Sequence, residues 1–345
     1  MGNRTVSVIL NDLNVSTRDF MAAVVSAINN DNFFASRMLK KSKPFEGGNK
    51  IAVPLKYGRE HTQTMGRYDE YNFQPIDILD EATYELKHVH GDMVIDEVRL
   101  EAQNKGKAAD INLARTKSEN MSESMKNEFS ELLFKAVADL GTNDPDSLVK
   151  ICATADNTVG AIDASTETRF SWNPQILDLS AEALTYADLV NPEHAYYIEK
   201  ILRMIVGPLT VGNDKPTIGL CSQVIWDAYE EVLRADKRFD SMYKVADGGF
   251  ETLRFRSMEI AVDSHVPGGK MNEVSDNGGM LLVINEKYMD YYHAPAMNFK
   301  WTPWKKAERQ PVYFSMLDWV GALTTSRRDR QGAVLGLPTD EQVYG

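Results

Sequence analysis

Apolar positions alternate from residue 46 to 95 and recur at helical spacing after residue 106, and this change of period divides the chain. Residues 1–45 hold one helical stretch. Ser16 or Thr17 caps it, Phe20, Val24, Ala27 and Ile28 share a face, and Asn29–Asn32 closes it. The rest of this arm is basic and thin in apolar residues. Gly47 and Gly48 then open a long hairpin over 46–95. Ile51, Val53 and Leu55 share one face of a strand over Lys50–Tyr57. Ala82, Tyr84, Leu86 and His88 share one face of the returning strand. The tip, Gly58–Gln74, is polar. A two-stranded ribbon is marginal by itself, so the tip is expected to rest on another molecule, with the core after residue 95.

A short helical piece over 96–106 stops at Asn104, Lys105 and Gly106. The longest helix is predicted over Lys107–Asp139, roughly 50 Å without Pro or Gly. Its buried stripe comprises Ile111, Ala114, Met121, Met125, Phe129, Leu132, Leu133 and Ala136. Residues 146–180 read as loops. Beyond 181, helices and strands alternate. An apolar helix, His194–Val206, ends at Gly207-Pro208, and a second helix covers Ser222–Arg234. Strands are predicted at Pro216–Cys221, Leu253–Phe255, Glu259–Val262, Met280–Ile284 and Tyr288–His293. Two long strand-like runs, Pro311–Thr325 and Arg327–Leu335, close the chain. Strands mixed with helices after a long rod indicate an α+β fold.

The chain has 345 residues, 43% of them hydrophobic and 26% charged, enough for one large core or two moderate ones. No apolar run approaches the ~20 residues that span a bilayer. The N-terminus lacks the basic head and apolar stretch of a signal peptide, so a cytoplasmic product with no membrane partner is expected. Cys152 and Cys221 lie far apart in apolar surroundings and read as buried free thiols. Net charge is −12, unevenly spread. Residues 1–45 carry +3, 300–332 carry +4 and 333–345 carry −2, which leaves −17 on 46–299. An acidic body lacks the basic footprint of a sequence-reading nucleic-acid binder. The basic ends either stand solvated or meet the acidic body of a neighbouring copy.

Catalytic patterns are absent or broken. There is no Gly-x-Ser-x-Gly elbow, no Gly-x-Gly-x-x-Gly and no His-Glu-x-x-His. Gly268-Gly269-Lys270 is followed by Met271, where a phosphate loop needs a hydroxyl. His88 and His90 are two apart on a strand and could face one ion. No third ligand is evident, so the pair reads as solvated or interfacial, and no metal, cofactor or catalytic residue is assigned. Tyr288, Tyr291, Tyr292, Phe299, Trp301 and Trp304 are interleaved with Lys300, Lys305 and Lys306. Such a set suits stacking on single-stranded nucleic acid or core and subunit interface, and the second is preferred.

Several segments carry a resemblance in their order. The long hairpin precedes a long helix, with Asn104-Lys105-Gly106-Lys107 at the break. Thr158-Val159-Gly160-Ala161-Ile162-Asp163 follows, then Ser165 and Ser171-Trp172, with Ala161 where a second glycine is usual. Then come Gly212-Asn213-Asp214-Lys215-Pro216, Trp226 with Tyr229-Glu230, and Arg238-Phe239 with Asp247-Gly248-Gly249-Phe250. Asn285 with Lys287-Tyr288, Phe299 with Pro303, and Ser326-Arg327-Arg328 with Gln331-Gly332 complete the series. Over roughly 46–336 this resembles the tailed-bacteriophage major capsid proteins, which share the Hong Kong-type phage capsid fold with encapsulins and herpesvirus shell floors.

The resemblance implies an α+β fold with an N-terminal arm (1–45), an extended hairpin loop (46–95), a peripheral domain with spine helix (96–189), an axial domain (190–298) and a return to the peripheral domain (299–345). It implies hexamers and pentamers of the same chain in an icosahedral shell around double-stranded DNA, which it contacts without sequence preference. A separate scaffolding protein is expected, because little chain precedes residue 46, together with a portal and cement proteins. Contacts between subunits are assigned to Arg18, Arg37, Arg59, His61, Arg67, Asp69, Arg327 and Arg328. Two other readings stay open: an encapsulin-type compartment shell, and a soluble acidic enzyme with an unrecognised site. A phage adhesion or decoration protein is disfavoured, because those are mostly strands.

Overall fold

The computed structural model describes residue 10 and residues 33–58, 62–70, 78–98, 107–235, 243–245, 251–267 and 279–338. In chain order the elements begin with α1 (Phe33–Lys40), β1 (Lys43–Pro44), β2 (Ile51–Lys56), β3 (Leu79–Tyr84) and β4 (Lys87–Asp96). Then come α2 (Lys107–Phe134), α3 (Leu148–Cys152), β5 (Thr158–Val159), β6 (Ile162–Asp163) and β7 (Gln175–Asp178). The next stretch holds α4 (Tyr186–Val190), α5 (Ile198–Leu209), β8 (Ile218–Cys221), α6 (Gln223–Ala235), β9 (Tyr243–Val245), β10 (Glu251–Phe255) and β11 (Met258–Val262). The last are β12 (Gly279–Ile284), β13 (Met289–His293), β14 (Lys300–Lys306), β15 (Val312–Thr325) and β16 (Gly332–Leu337).

Two sheets organise these elements. The first is built on β15. One of its edges pairs with β4 from Val312 to Gly321. The other pairs with β14 from Tyr313 to Asp318 and with β13 from Gly321 to Thr325. Gly321 sits at the changeover, where a Cβ would meet Trp319 and the Tyr292 carbonyl at 2.3 and 2.7 Å. The second sheet has seven strands in the order β7-β16-β12-β8-β11-β10-β9. Its central strands β8 and β12 are buried throughout, as expected of strands covered on both faces. Met280, Leu282 and Ile284 enter one core with α1, α3 and the hairpin strands. Leu281 and Val283 enter a second core with α5 and α6. Helix α5 supplies that core with Ile198, Ile201, Leu202, Ile205, Val206 and Leu209, a stripe at helical spacing.

Several elements depart from the sequence reading. Asn29–Asn32 was expected to end the arm's helix, yet helix α1 follows directly and buries Phe33, Phe34 and Met38. The helix expected over Phe20–Ile28 lies outside the described residues. The hairpin strands are not an unsupported ribbon. Ile51, Val53 and Leu55 of β2 and Ala82 and Tyr84 of β3 all belong to the first core, so that core does not begin after residue 95. The Tyr84 hydroxyl donates to the Thr325 carbonyl at 2.9 Å and accepts from its N–H at 3.2 Å. The return strand breaks after Tyr84, and β4 resumes in a new phase with Val89, Met93 and Ile95 buried. It runs to Asp96, into the stretch expected to start a helix.

Helix α2 ends at Phe134, five residues early, because Ala136 takes extended backbone and leaves its side chain exposed. Met125, Phe129, Leu132 and Leu133 are buried as expected, while Ile111 and Ala114 are not described at side-chain level. Phe129 meets Trp319 edge-on with centroids 5.3 Å apart, and Tyr291 stacks on Trp319 at 5.6 Å. Helix α5 passes through Gly207-Pro208 and stops at Thr210. Residues 146–180 contain the short helix α3 and the tight β5–β6 hairpin, not loops alone.

Gly160 and Ala161 connect β5 and β6, both with φ of +61°, as a type I′ turn requires. A Cβ on Gly160 would meet Tyr84 and Ala82 within 2.9 Å, whereas Ala161 is exposed and bears only backbone strain. Ala161→Gly should therefore stabilise the subunit by about 0.5–1 kcal/mol. Gly160→Ala should destabilise it. Urea unfolding midpoints of the two variants check both signs.

Candidate assembly surface and histidine–carboxylate site

The described part of the hairpin tip, 62–70, is exposed throughout. Its Asp69 carboxylate accepts a hydrogen bond from the Gly66 N–H, closing a turn. Arg67 and Asp69 stand in solvent. So does Tyr68, at 91% the most exposed large side chain among the described apolar residues. Leu79, near the tip end of β3, is 62% exposed. Read as polar, the tip in fact presents aromatic and aliphatic surface beside its charges, the mixture that favours interfaces. Arg59 and His61 lie outside the described residues, as does Arg18.

The other assigned arginines make bonds within the chain. Arg37 contacts Glu259 at 2.6 Å and Glu286 at 2.9 Å, and Lys41 reaches the same Glu286 oxygen at 2.9 Å. Glu286 is buried, so two cations compensate one desolvated carboxylate and latch α1 to the body. Arg327 binds Asp329 at 2.7 Å and lies over the Tyr288 ring.

Arg328 corrects the sequence assignment outright. It is fully buried and cannot reach a neighbouring copy in this fold. Its Nε donates to the Ile151 carbonyl and its Nη2 to the Lys150 carbonyl, both at 2.9 Å. Nη1 reaches the carbonyls of Asn157 and Trp172 at 3.3 Å, and Nη2 also reaches that of Thr154. The guanidinium thereby collects carbonyls that the C-terminus of α3 and the following turns leave unpaired. Burial pulls its pKa down to about 10, which leaves it charged at neutral pH. Nothing in the Arg327-Arg328 pair distinguishes the buried member; only the backbone path between β15 and β16 does.

The aromatic set near the end of the chain is largely core. Tyr291 and Trp304 are buried, and Phe299 and Trp301 pack on the same core as Tyr291. Trp301 donates its Nε1–H to the Ser315 hydroxyl at 2.6 Å. Both cysteines are buried and free, and burial pushes the Cys152 thiol up to about 12. Among the described residues no helix is long and apolar enough to cross a membrane.

The absent third ligand is also corrected. Pairing of β4 with β15 sets His90 opposite Asp318. The carboxylate Oδ1 then lies 2.7 Å from His90 Nδ1 and 3.0 Å from His88 Nε2. Asp318 is 228 residues from His90 and 230 from His88 in sequence, so local spacing could not reveal it. Burial raises the Asp318 carboxyl, but hydrogen bonds from His90 and His88 outweigh that and hold it below its ordinary value. The strand carrying the histidines borders a cleft of about 450 Å³ between β4, α2 and residues 143–145.

Solved structures resemble most of this chain in fold. The capsid asymmetric unit of cyanophage A-1(L) matches with a TM-score of 0.52 and 15% identity, over 86% of this chain and 89% of that one. The capsid of a native GTA particle matches at 0.54 and 10%, over 86% and 89%. A chain of Mycobacterium phage Ogopogo matches at 0.52 and 12%, over 86% and 91%. No family model and no curated protein matches the sequence. The α+β architecture is that of the Hong Kong-type phage capsid proteins.

Arg328→Ala should lower unfolding stability by about 3 kcal/mol or more, because several buried carbonyls lose a charged donor. Arg328→Lys should recover only part, since an ammonium lacks the planar fork. Arg67→Ala should stay within about 0.5 kcal/mol of the parent. Chemical denaturation of the three variants measures the order.

Proposed function

We propose that this chain is the major head-shell subunit of a tailed bacteriophage, assembling as hexamers and pentamers into an icosahedral shell around double-stranded DNA. The observation that carries the reading is the capsid-type fold over 86% of the chain. The hairpin supports it. Its strands are anchored in the core, while its tip projects Tyr68, Arg67 and Asp69 into solvent. A tip held at its base and bare at its end is suited to a neighbouring copy, where its apolar area can be covered.

The role is structural rather than catalytic, and the site of action is the virion, with assembly in the host cytoplasm. The −17 charge on residues 46–299 suits a wall along which packaged DNA must move, since like charge weakens adhesion. Partners of the shell would be a scaffolding protein, a portal and cement proteins. Subunit contacts fall to Arg67 and Asp69 of the tip, and to Arg59, His61 and Arg18, which lie outside the described residues. Arg37 and Arg327 retain partly exposed side chains and can add to this surface.

Replacing residues 58–74 by a short Gly-Ser turn leaves both buried strand faces intact. The variant should keep the parent's circular dichroism and remain a soluble subunit, yet form no regular shell in negative-stain micrographs. Shells of normal size would refute the proposed role of the tip. Particles from the parent that carried protein cargo and excluded DNA would point to a compartment instead.

A further inference from the structure

We propose that His88 Nε2, His90 Nδ1 and Asp318 Oδ1 form a binding site for one divalent cation of the zinc class. Among the described residues this is the one cluster of three such donors, all within 4.8 Å of one another. The histidines stand two apart on β4, which puts both rings on the same side of the strand. Their ring centroids are 5.9 Å apart. Asp318 arrives from β15 at the cross-strand position of His90. All three are carried by an antiparallel ladder that runs continuously from Val312 to Gly321, so the donors sit on a rigid element rather than a loop.

The donor chemistry selects the ion. Two imidazoles and one carboxylate suit Zn²⁺, Co²⁺, Ni²⁺ or Cu²⁺, whereas Mg²⁺ and Ca²⁺ prefer all-oxygen sets. Three protein ligands leave a fourth position for water. Access matches that need: the histidine side chains are 49% and 43% exposed, while the carboxylate is only 13% exposed. Each ring nitrogen lies within hydrogen-bond distance of the same oxygen, so the donors already converge on one point. On binding, a proton on a ring nitrogen that faces Asp318 would pass to the other ring nitrogen or to solvent, and small ring rotations would open the donors to coordination distance.

The surrounding charge is mixed and mostly favourable. Asp92 and Glu128 line the adjoining cleft, and Asp144 there is already paired with Lys135 at 2.6 Å. Lys300 of β14 occupies the register position on the other side of Asp318. Lys300 opposes binding, while the Asp92 and Glu128 carboxylates and the net charge of −12 favour it. A bound ion would cross-link β4 to β15 and stabilise only the folded subunit.

The full-length subunit, stripped with chelator, would be titrated with Co²⁺ and dialysed against Zn²⁺. The expected result is one ion per chain, with a Co²⁺ ligand-field band and a rise in melting temperature. His88→Gln and His90→Gln, both at exposed positions, should each weaken binding by roughly 10–100-fold or abolish it. Asp318→Asn should do the same. If that buried change impairs folding, the two histidine variants decide. His194→Gln, whose ring accepts from the Tyr196 N–H at 3.2 Å and lies 3.7 Å from Asp188, should bind like the parent. Less than stoichiometric uptake by the parent, or equal uptake by His88→Gln and His90→Gln, would overturn the site. This test is independent of shell assembly, so its failure leaves the proposed head-shell function standing.

Discussion

Strand β15 is the member on which the subunit depends. It pairs along one edge with β4 and along the other with β14 and then β13. Its side chains therefore meet segments from distant parts of the chain. Trp319 anchors the aromatic cluster with Phe129 of α2 and Tyr291 of β13. Thr325 offers both backbone groups to Tyr84, which ties the hairpin to the sheet. Asp318 gathers His88 and His90. Over Tyr313–Asp318 both edges of the strand are paired, and at Thr325 a side chain takes the place of the second neighbour, so its position is strongly determined.

The second sheet joins two cores that would otherwise be independent. Alternation along β12 sends Leu282 to one and Leu281 and Val283 to the other. This is why the central strands are apolar at every position rather than at every second one. Arg328 works at the same junction. Placed just before β16, it reaches back to the turns around α3 and binds carbonyls there. A charged group can be buried only where such partners surround it, and here backbone oxygens replace a carboxylate.

For an assembling protein, the division between anchored and bare surface matters most. The hairpin strands contribute Ile51, Val53, Leu55, Ala82 and Tyr84 to the interior, and the described part of the tip, 62–70, contributes nothing to it. Stability and association are thereby separated along one hairpin. Changes at the tip can alter association without unfolding the subunit, while changes in its paired strands act through the core.

What the sequence determined by itself were elements whose period is strong and whose partners are near. Helix α6, strands β8, β11, β12, β13 and β15, and the buried face of β2 follow from local spacing. The ordered segments also pointed to the fold class, through the family resemblance they carry together. The tertiary structure alone decided three matters. It ended α2 at Phe134, because extended backbone at Ala136 redirects the chain. It drew Phe33 and Phe34 into the core from an arm that looked peripheral, since burial depends on neighbours that arrive hundreds of residues later. It set Asp318 against two histidines and enclosed one arginine of an adjacent pair. Strand register and long-range burial leave no mark on local periodicity, so these contacts exist only once the chain has closed on itself.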